Sequence, residues 1–496
     1  MDTPLDFSPS TLVIGAGMAG LTAAALLAHR GQRVLVLEQN WLPGGCASSY
    51  SRKGFVFESG ATTLVGLDEG MPLKHLLDTI GIELPARSLA IPMQVHFPDQ
   101  PPVTRFQDIF AWISEAEKVF GKQGQKSFWE ECFRISQFVW ETSIVQRAFP
   151  PSSFSDLLFA ASHFRPKQLG FAVKAFSSTK DLLKKHGLLE NKPFVRFVNE
   201  QLMITAQNTM EEVNVLFGAA ALCYTNYGNY YLDGGMIKLA EALVEFIESK
   251  GGKVLLQQPA TNIVATAQGY EVETTFRKES KRYAAPALVA AIPINDLLNI
   301  WPEPPSSVSR LQKKVLHSPQ LNSAFQLSLV LQNRQTTDAI HHQIHLKKPL
   351  SQTGSTSIFL SMSHIKDTLR SPNGEVVASV TTHIPDPKNT LITDKEAVQN
   401  EMIDALVDHG LIAREDIVFA HASTPGAWHK WTGRSWGFVG GYPQFMKIKP
   451  WQMLDARLDH KAAYLCGDSA YPGQGIPGAC LSGIIAVEKM RLDGKG

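Results

Sequence analysis

The fold of this chain is best predicted from one segment, Thr11-Leu-Val-Ile-Gly-Ala-Gly-Met-Ala-Gly20. Its β-branched start predicts a short buried strand, and its glycines follow at G-x-G-x-x-G spacing. Residues 21–29 are rich in Ala and Leu, as a helix would be, and Arg33 to Glu38 form a second apolar strand. Strand, glycine turn, helix and strand together predict a βαβ unit about 30 residues long.

The three glycines of this turn have separate roles in a dinucleotide site. Gly15 permits the tight turn, and Gly17 lets the backbone approach a diphosphate without a Cβ atom in the way. Gly20 allows the helix and the strand to pack closely. The helix that begins at Met18 and Ala19 directs free N–H groups and the positive end of its dipole at the phosphates.

Glu38 ends the second strand about 18 positions after Gly20. A carboxylate at this point accepts hydrogen bonds from the ribose hydroxyls of an adenosine. The same carboxylate repels a 2′-phosphate, so NADP is disfavoured as the ligand. Both strands, the helix and the acid are in place, which makes the glycine pattern far more specific than it would be alone.

A second glycine-rich turn favours FAD over NAD, because NAD dehydrogenases do not need one. Its residues are Gly44, Gly45, Cys46 and Ala47, and a further close approach follows at Gly60 and Ala61. An extended diphosphate and ribityl chain explains these additional turns. Near the far end, Gly467 and Asp468 follow a strand, where the carboxylate is well placed for a ribityl hydroxyl or the diphosphate. Since no second fingerprint for a nicotinamide nucleotide is found, the predicted cofactor is FAD alone.

Composition limits the class of protein. The chain has 496 residues, which predicts two domains with a long border, and a formal net charge of +1, which gives no reason to expect nucleic acid as a partner. Five scattered cysteines without a C-x-x-C pair indicate a reducing compartment and no structural zinc site. The N-terminus does not read as a secretory signal, and no window reaches the roughly 18 apolar residues of a membrane span. The sequence predicts a soluble or peripheral, cytoplasmic protein.

The pattern along the chain divides the FAD-binding domain into separate segments. These are residues 1–95, 230–300 and 441–496. Residues 96–229 are rich in Phe, Trp and helix formers and predict a helical region. Residues 301–440 contain short alternating runs that predict an antiparallel sheet in a substrate domain. The substrate domain is therefore expected to be inserted into the FAD domain.

Five motifs occur in one order over nearly the whole chain. They are Val13-Ile-Gly-Ala-Gly-Met-Ala-Gly-Leu21, Gly44-Gly-Cys-Ala47, Gly54-Phe-Val-Phe-Glu-Ser-Gly-Ala61, Tyr231-Leu-Asp-Gly-Gly-Met236 and Gly467-Asp-Ser-Ala-Tyr-Pro-Gly-Gln-Gly-Ile-Pro-Gly478. Together they resemble the phytoene desaturase-like family of carotenoid desaturases and isomerases, within the FAD-dependent amine-oxidase superfamily. The P-G-Q-G-x-P-G run of the last motif is the most specific part. Details at residues 44–47, 60–66, 432–434 and 440–441 look most like the 3,4-desaturases of acyclic carotenoids.

The resemblance implies an α/β fold in which a Rossmann-type FAD-binding domain of the amine-oxidase and glutathione-reductase type carries an inserted α+β substrate domain. It implies that Val254 contacts the adenine region through its backbone. It also implies that Gly475, Ile476 and Pro477 shape the pyrimidine edge of the flavin, before the last helix directs its N-terminus at a flavin carbonyl. One departure is Cys46, because many relatives carry Arg after the second glycine of this turn.

The implied activity is desaturation of a long acyclic carotenoid. A hydride leaves an allylic C–C bond for flavin N5, and the electrons pass to a quinone or to oxygen. No general base is predicted, because the conjugated polyene can delocalise a developing cation. Alternatives on the same scaffold are a carotene cis–trans isomerase or polyene saturase and, more remotely, an amine oxidase. A non-catalytic flavin-binding lipid scaffold is the alternative from another class.

A substrate of this kind would come from a membrane, and residues 154–176 fit an access element on the inner face of one. The apolar members are Leu157, Leu158, Phe159, Phe164, Leu169, Phe171, Val173 and Phe176, with Arg165, Lys167 and Lys174 for headgroups. An ordinary core-facing helix pair explains the same pattern. Residues 224–231 are aromatic and can line the tunnel or simply belong to the core.

Three histidines, His341, His342 and His345, suggest metal ligands at first sight. They lie in an alternating β-like run without a nearby Cys or carboxylate partner. A metal site needs converging ligands and an open position. The sequence therefore predicts no metal and places these side chains on a solvated face of the sheet.

Overall fold

The computed structural model describes residues 7–165, 170–171, 173–332 and 339–496. The strands are β1 (Thr11–Ile14), β2 (Val34–Leu37), β3 (Ser49–Arg52), β4 (Phe55–Glu58), β5 (Leu64–Val65), β6 (Ala86–Ser88), β7 (Met93–His96), β8 (Val103–Arg105), β9 (Asn229–Leu232), β10 (Lys253–Leu255), β11 (Ala260–Ala265), β12 (Tyr270–Phe276), β13 (Glu279–Ala285), β14 (Ala287–Ala290), β15 (Asn322–Leu331), β16 (His341–His345), β17 (Ser357–Met362), β18 (Val376–Pro385), β19 (Ile417–Ser423) and β20 (Ala463–Leu465). The α-helices are α1 (Met18–His29), α2 (Pro72–Ile80), α3 (Ile109–Phe120), α4 (Gln125–Val145), α5 (Phe154–Ser162), α6 (Thr179–Lys185), α7 (Lys192–Ala206), α8 (Val215–Leu222), α9 (Ile237–Ser249), α10 (Ile294–Leu297), α11 (Ser306–Ser309), α12 (Lys395–Asp408), α13 (Pro425–Thr432) and α14 (Gly475–Leu492).

A five-stranded parallel sheet of order β10-β2-β1-β14-β20 forms the dinucleotide half. Every residue of β1, β2, β14 and β20 is buried, as expected when helices cover both faces of a parallel sheet. Helix α1 packs against α9 and α14. The βαβ start and the strands near residues 253, 287 and 463 are confirmed, as is the hairpin arm at β12, which pairs with β11 and β13.

A seven-stranded sheet of order β19-β15-β18-β17-β16-β7-β8 forms the other half. The antiparallel pairing predicted for the segment after residue 320 is confirmed for β15 to β18. Strand β8 joins this sheet from the stretch that we expected to be largely helical, and β7, which lies parallel to β16, begins in the segment assigned to the FAD domain. The expected boundary at residues 95 and 96 therefore falls inside β7.

The expectation that His341, His342 and His345 face solvent is wrong, because all five residues of β16 are buried. Both faces of this strand are covered. Gln343 accepts a hydrogen bond from Gln201 of α7 on one side. On the other side His342 contacts His96, whose ring lies 5.9 Å from that of His409 at the end of α12. Period-two alternation predicted the strand but not the layers that cover it.

Within the described ranges, no helix is long and apolar enough to cross a membrane. The same part of the chain contains no group of three or more His, Cys, Asp or Glu side chains placed to hold a metal ion.

Candidate functional site

A cavity of about 1200 Å³ connects the two halves of the molecule. At one end it is lined by the glycine turns after β1 and β2 and by the start of α14. At the other end it is lined by the seven-stranded sheet and the helical region, including Phe138, Phe171, Tyr224 and Phe359. It reaches exposed side chains at Phe164 and Trp451. The cavity exceeds the volume of roughly 300–1,000 Å³ typical of ligand pockets, so it has room for a dinucleotide and a long second ligand.

Most of the predicted site residues line this cavity. They are Gly15, Gly17, Met18, Ala19, Glu38, Gly44, Gly45, Cys46, Ala47, Gly60, Ala61, Gly467, Asp468, Gly475, Ile476 and Pro477. Gly20 and Val254 are not among the lining residues. Val254 lies on the edge strand β10 opposite Val36, and the lining residues after that strand are Gln258 and Ala260. No sequence pattern indicated Gln258 or Ala260, since neither belongs to a glycine turn.

The first glycine turn has the geometry of a phosphate cradle. Gly15 has φ +98°, and a Cβ atom there would lie 2.9 Å from the Ala291 carbonyl oxygen. A Cβ atom on Gly20 would lie 2.0 Å from the Gly15 carbonyl oxygen, so this glycine serves packing rather than contact with a ligand. A Cβ atom on Gly17 would meet no atom of the described chain within 4 Å and lies beside the cavity. The turn thus presents bare backbone and the N-terminus of α1 to a ligand.

The second glycine turn lies directly against the first. The Gly44 N–H donates to the Ala16 carbonyl at 2.8 Å, and Gly17 and Gly44 form an isolated parallel bridge. Gly44 has φ +102°, a conformation that side chains rarely adopt. Two adjacent backbone surfaces without side chains fit an extended diphosphate better than a single phosphate.

Glu38 fixes the first turn from the end of β2. Its carboxylate accepts hydrogen bonds from the N–H groups of Ala16 at 2.7 Å and Asn40 at 2.8 Å. Burial raises the pKa of Glu38, and these backbone donors act in the opposite direction. The carboxylate lines the cavity, so it combines a structural role with the predicted contact to a ribose.

Asp468 is paired with an arginine that sequence reasoning named only as part of a motif. The Nη1 atom of Arg434 lies 2.8 Å from Oδ2 of Asp468. Gly441, with φ +76°, makes room for this carboxylate, because a Cβ atom there would lie 2.6 Å from the Asp468 Cβ. Both charged side chains line the cavity. Their contact joins residues 34 positions apart, which no local pattern could indicate.

The start of α14 closes the dinucleotide end. Gly475 has φ +73°, and Pro477 packs against Gly66, where a Cβ atom would lie 3.1 Å from the proline Cγ. Gln474 precedes this helix and donates from Nε2 to the Tyr442 carbonyl at 2.8 Å. The N–H groups of the first turn of α14 therefore face the cavity, as a site for a flavin carbonyl requires. The residues present fit FAD.

The second end of the cavity is mainly apolar, with one notable polar pair. His383 of β18 and Gln207 at the end of α7 line it, with 3.3 Å between their Nε2 atoms. Gln207 also donates to the Met203 carbonyl at 3.0 Å, so its amide nitrogen faces the histidine as a donor. Burial lowers the pKa of His383, which keeps the ring neutral at neutral pH. Sequence patterns did not single out either residue.

Comparisons with known proteins agree with this geometry. The family profile described as flavin containing amine oxidoreductase matches residues 18–491. The chain is 24% identical to prolycopene isomerase 2, chloroplastic, of an Oncidium hybrid cultivar, over 97% of this chain and 84% of that protein. It is equally 24% identical to the 4,4′-diapophytoene desaturase (4,4′-diaponeurosporene-forming) of Staphylococcus haemolyticus (strain JCSC1435), over 97% and 98%. Wild-type putrescine oxidase bound to putrescine shares the fold, with a TM-score of 0.65, 15% identity and coverage of 98% and 99%.

Proposed function

Because the chain belongs to the flavin containing amine oxidoreductases and binds FAD, we propose that it desaturates a long acyclic carotenoid. The observation that carries this proposal is the continuity of the cavity from the glycine turns to a mainly apolar chamber. A polyene lying in that chamber would extend toward the start of α14. Bound FAD would supply the hydride acceptor, and a quinone or oxygen would take up the two electrons.

The contribution of the protein to this reaction is positional. The glycine turns and Glu38 would hold one end of the cofactor, and the start of α14 would orient the other, because all of them line the cavity. The seven-stranded sheet and the helical region hold the polyene and exclude water, so a C–H bond can lie against the acceptor. The allylic carbon loses a hydride and its neighbour releases a proton. No general base is assigned, because conjugation stabilises the developing cation.

A cis–trans isomerase is the second candidate. It is supported by the prolycopene isomerase relative, whose identity to this chain equals that of the desaturase relative. The same cavity would serve, because isomerisation also needs a flavin against an extended polyene. The two functions differ in the mass of the product, since desaturation removes two hydrogens and isomerisation removes none.

The deciding experiment is an anaerobic incubation with an acyclic carotenoid in liposomes, in which flavin absorbance and product mass are followed together. Desaturation predicts a bleached flavin and a product lighter by two hydrogens. Unchanged mass with a shifted polyene spectrum would instead identify an isomerase. The same protein stripped of FAD is the control, and it should leave the polyene unchanged.

The proposal includes attachment to the inner, cytoplasmic face of a membrane at the mouth of the cavity. Phe154, Leu157 and Leu158 of α5 are 74%, 55% and 56% exposed, while Asp156 and Phe159 face inward. One face of α5 is therefore exposed and apolar, and the helix does not face the core on all sides. Phe176 is 62% exposed, and its ring lies 5.5 Å from that of Trp451 at the mouth. Lys167 and Leu169 of the expected access element lie outside the described residues.

A further inference from the structure

The turn at Cys46 does not itself supply a cation for the diphosphate of FAD. Many proteins of the phytoene desaturase-like family carry Arg at the position of Cys46. The cysteine lines the cavity beside Gly45. Burial raises the pKa of this thiol, so the side chain is neutral at neutral pH. Nearby carboxylates, Glu38 and Asp468, would repel a diphosphate unless a positive charge offsets them.

Arg434 brings such a charge from a distant part of the sequence. It follows Gly433, which has φ +70° and ends α13. Its side chain is 15% exposed, pairs with Asp468 at 2.8 Å and lines the same cavity as Cys46 and Gly467. The positive charge of Arg434 lowers the pKa of the Cys46 thiol, but burial raises this pKa by more. The guanidinium therefore lies close enough to position 46 for its charge to act on the side chain there.

Several contacts fix the segment that carries Arg434 to the dinucleotide half. The indole Nε1 of Trp431 donates to the Gly45 carbonyl at 3.2 Å. Nδ2 of Asn40 donates to the Trp431 carbonyl at 2.9 Å. On the other side of the arginine, the Ser435 N–H donates to Oδ1 of Asp296 at 2.9 Å. These bonds hold the guanidinium in a set position relative to the second glycine turn.

The guanidinium of Arg434 also has more N–H donors than its ion pair with Asp468 uses. It carries five N–H groups, and among the described residues the carboxylate within ion-pair distance of it is that of Asp468. The Nη1 atom is buried, and its contact with Asp468 is an ion pair that does not have the geometry of a hydrogen bond. A half-buried arginine whose Nη1 lacks a hydrogen-bond partner, beside a glycine turn, is suited to a phosphate, because its planar fork matches two phosphate oxygens.

We propose that Arg434 binds the FAD diphosphate and replaces the arginine that this chain lacks at position 46. Asp468 then has two roles, because it orients the guanidinium and faces the ribityl side of the cofactor. The proposal rests on FAD binding and is independent of which polyene reaction the protein performs.

The test measures the affinity of the apoprotein for FAD and for riboflavin, which lacks the diphosphate. In the Arg434→Gln variant, FAD should bind about 10- to 100-fold more weakly, the usual effect of losing a charge-assisted hydrogen bond. Riboflavin should lose much less affinity than FAD, because only its ribityl contact to Asp468 depends on the guanidinium. Adding Cys46→Arg to Arg434→Gln should recover most of the FAD affinity, because it returns the cation from the neighbouring turn.

Equal FAD affinity in Arg434→Gln, or an equal loss for FAD and riboflavin, would overturn the proposal. So would a Cys46→Arg, Arg434→Gln double variant that binds FAD no better than the single variant. Circular dichroism and thermal unfolding of each apoprotein show whether it is folded. If Arg434→Gln does not fold, Arg434→Lys gives the answer. Lysine retains the positive charge but lacks the planar, forked guanidinium, so the preference for FAD over riboflavin should fall at least about threefold. An unchanged preference would contradict the proposal.

Discussion

The two large sheets are both buried between other layers, yet they are made from different residues. Strands β1, β2 and β14 of the parallel sheet are almost entirely apolar. Strand β16 of the seven-stranded sheet reads His-His-Gln-Ile-His and is buried to the same degree. Burial is therefore set by the layers that cover a strand and not by its own polarity. Where a buried strand is polar, stability depends on the partners that its side chains find.

The buried polar side chains of β16 are satisfied to different degrees. The ring of His341 lies 3.0 Å from Thr63 Oγ1 and 2.8 Å from Ser361 Oγ. His342 contacts His96 at 3.0 Å. Neither ring nitrogen of His345 has a hydrogen-bond partner within the described ranges. The parallel sheet carries no comparable group of buried imidazoles in its strands, so acid should act mainly on the other sheet.

The largest expected effect is loss of stability in acid. Burial lowers the pKa of His96, His341 and His345 to about 3 and that of His342 to about 4. In the unfolded chain these groups bind protons below about pH 6.5, so stability is present above that pH and is lost as the pH falls toward the folded values. Each histidine that stays neutral lowers the free energy of unfolding by about 2 kcal/mol between pH 7 and pH 5.

Denaturant unfolding at pH 7, 6 and 5 measures this loss, and the total should reach several kcal/mol. Proton uptake on unfolding at pH 5 should involve more than one group. A free energy of unfolding that stays constant over this range would show that the histidines of the seven-stranded sheet bind protons in the fold as readily as in the unfolded chain.

The next effect concerns two glycines of the same turn in the parallel sheet. Gly20→Ala places a methyl group against the Gly15 carbonyl and should destabilise the protein by about 3 kcal/mol. Gly17→Ala meets no atom of the described chain and should change stability by less than about 0.5 kcal/mol, while it weakens FAD binding. Thermal unfolding of the apoproteins and FAD titration separate the two effects. Similar unfolding temperatures for the two variants would contradict the assignment of Gly20 to packing.

A smaller effect is expected at His345. Its ring lies 4.5 Å from the ring of Phe97, and both of its nitrogens are buried without partners. His345→Phe should stabilise the protein at pH 7 by about 1 kcal/mol, because it removes two unsatisfied polar atoms. It should also reduce the proton uptake on unfolding at pH 5 by about one. Destabilisation by the phenylalanine would indicate that the imidazole has a function in the folded state.

The smallest effect on stability is expected at the mouth of the cavity. The double variant Leu157→Glu, Leu158→Glu should change the free energy of unfolding by less than about 0.5 kcal/mol, because both side chains are exposed. It should reduce flotation with liposomes, since two charges replace apolar contacts. Leu391→Glu is the matched control, as Leu391 is 73% exposed and lies outside α5. Equal flotation of both variants would rule out α5 as the attachment site.

The prediction from sequence was most complete where a local pattern sufficed. The βαβ start and the two glycine turns were placed correctly, and residues of these turns line one cavity. The last helix begins earlier than expected, because Gly475, Ile476 and Pro477 form its first turn instead of preceding it. The insertion was less well predicted, because β7 pairs with a strand more than 240 positions away and β8, which pairs with β7, comes from a segment rich in helix formers. His383, Gln207 and Gln258 were missed, since each reaches the cavity from a different element without a motif.

The sequence by itself determined the dinucleotide half, because apolar strands, glycine spacing and a helix start are local properties that backbone sterics impose. Which polar side chains are buried, and which charged side chains form ion pairs, depends on tertiary packing. His345 is buried because α7 covers that face of β16 and Phe97 packs on its ring, and Arg434 meets Asp468 because α13 is anchored on the Gly45 turn. Such contacts join residues that are distant in sequence, so their energies depend on packing that no local pattern specifies.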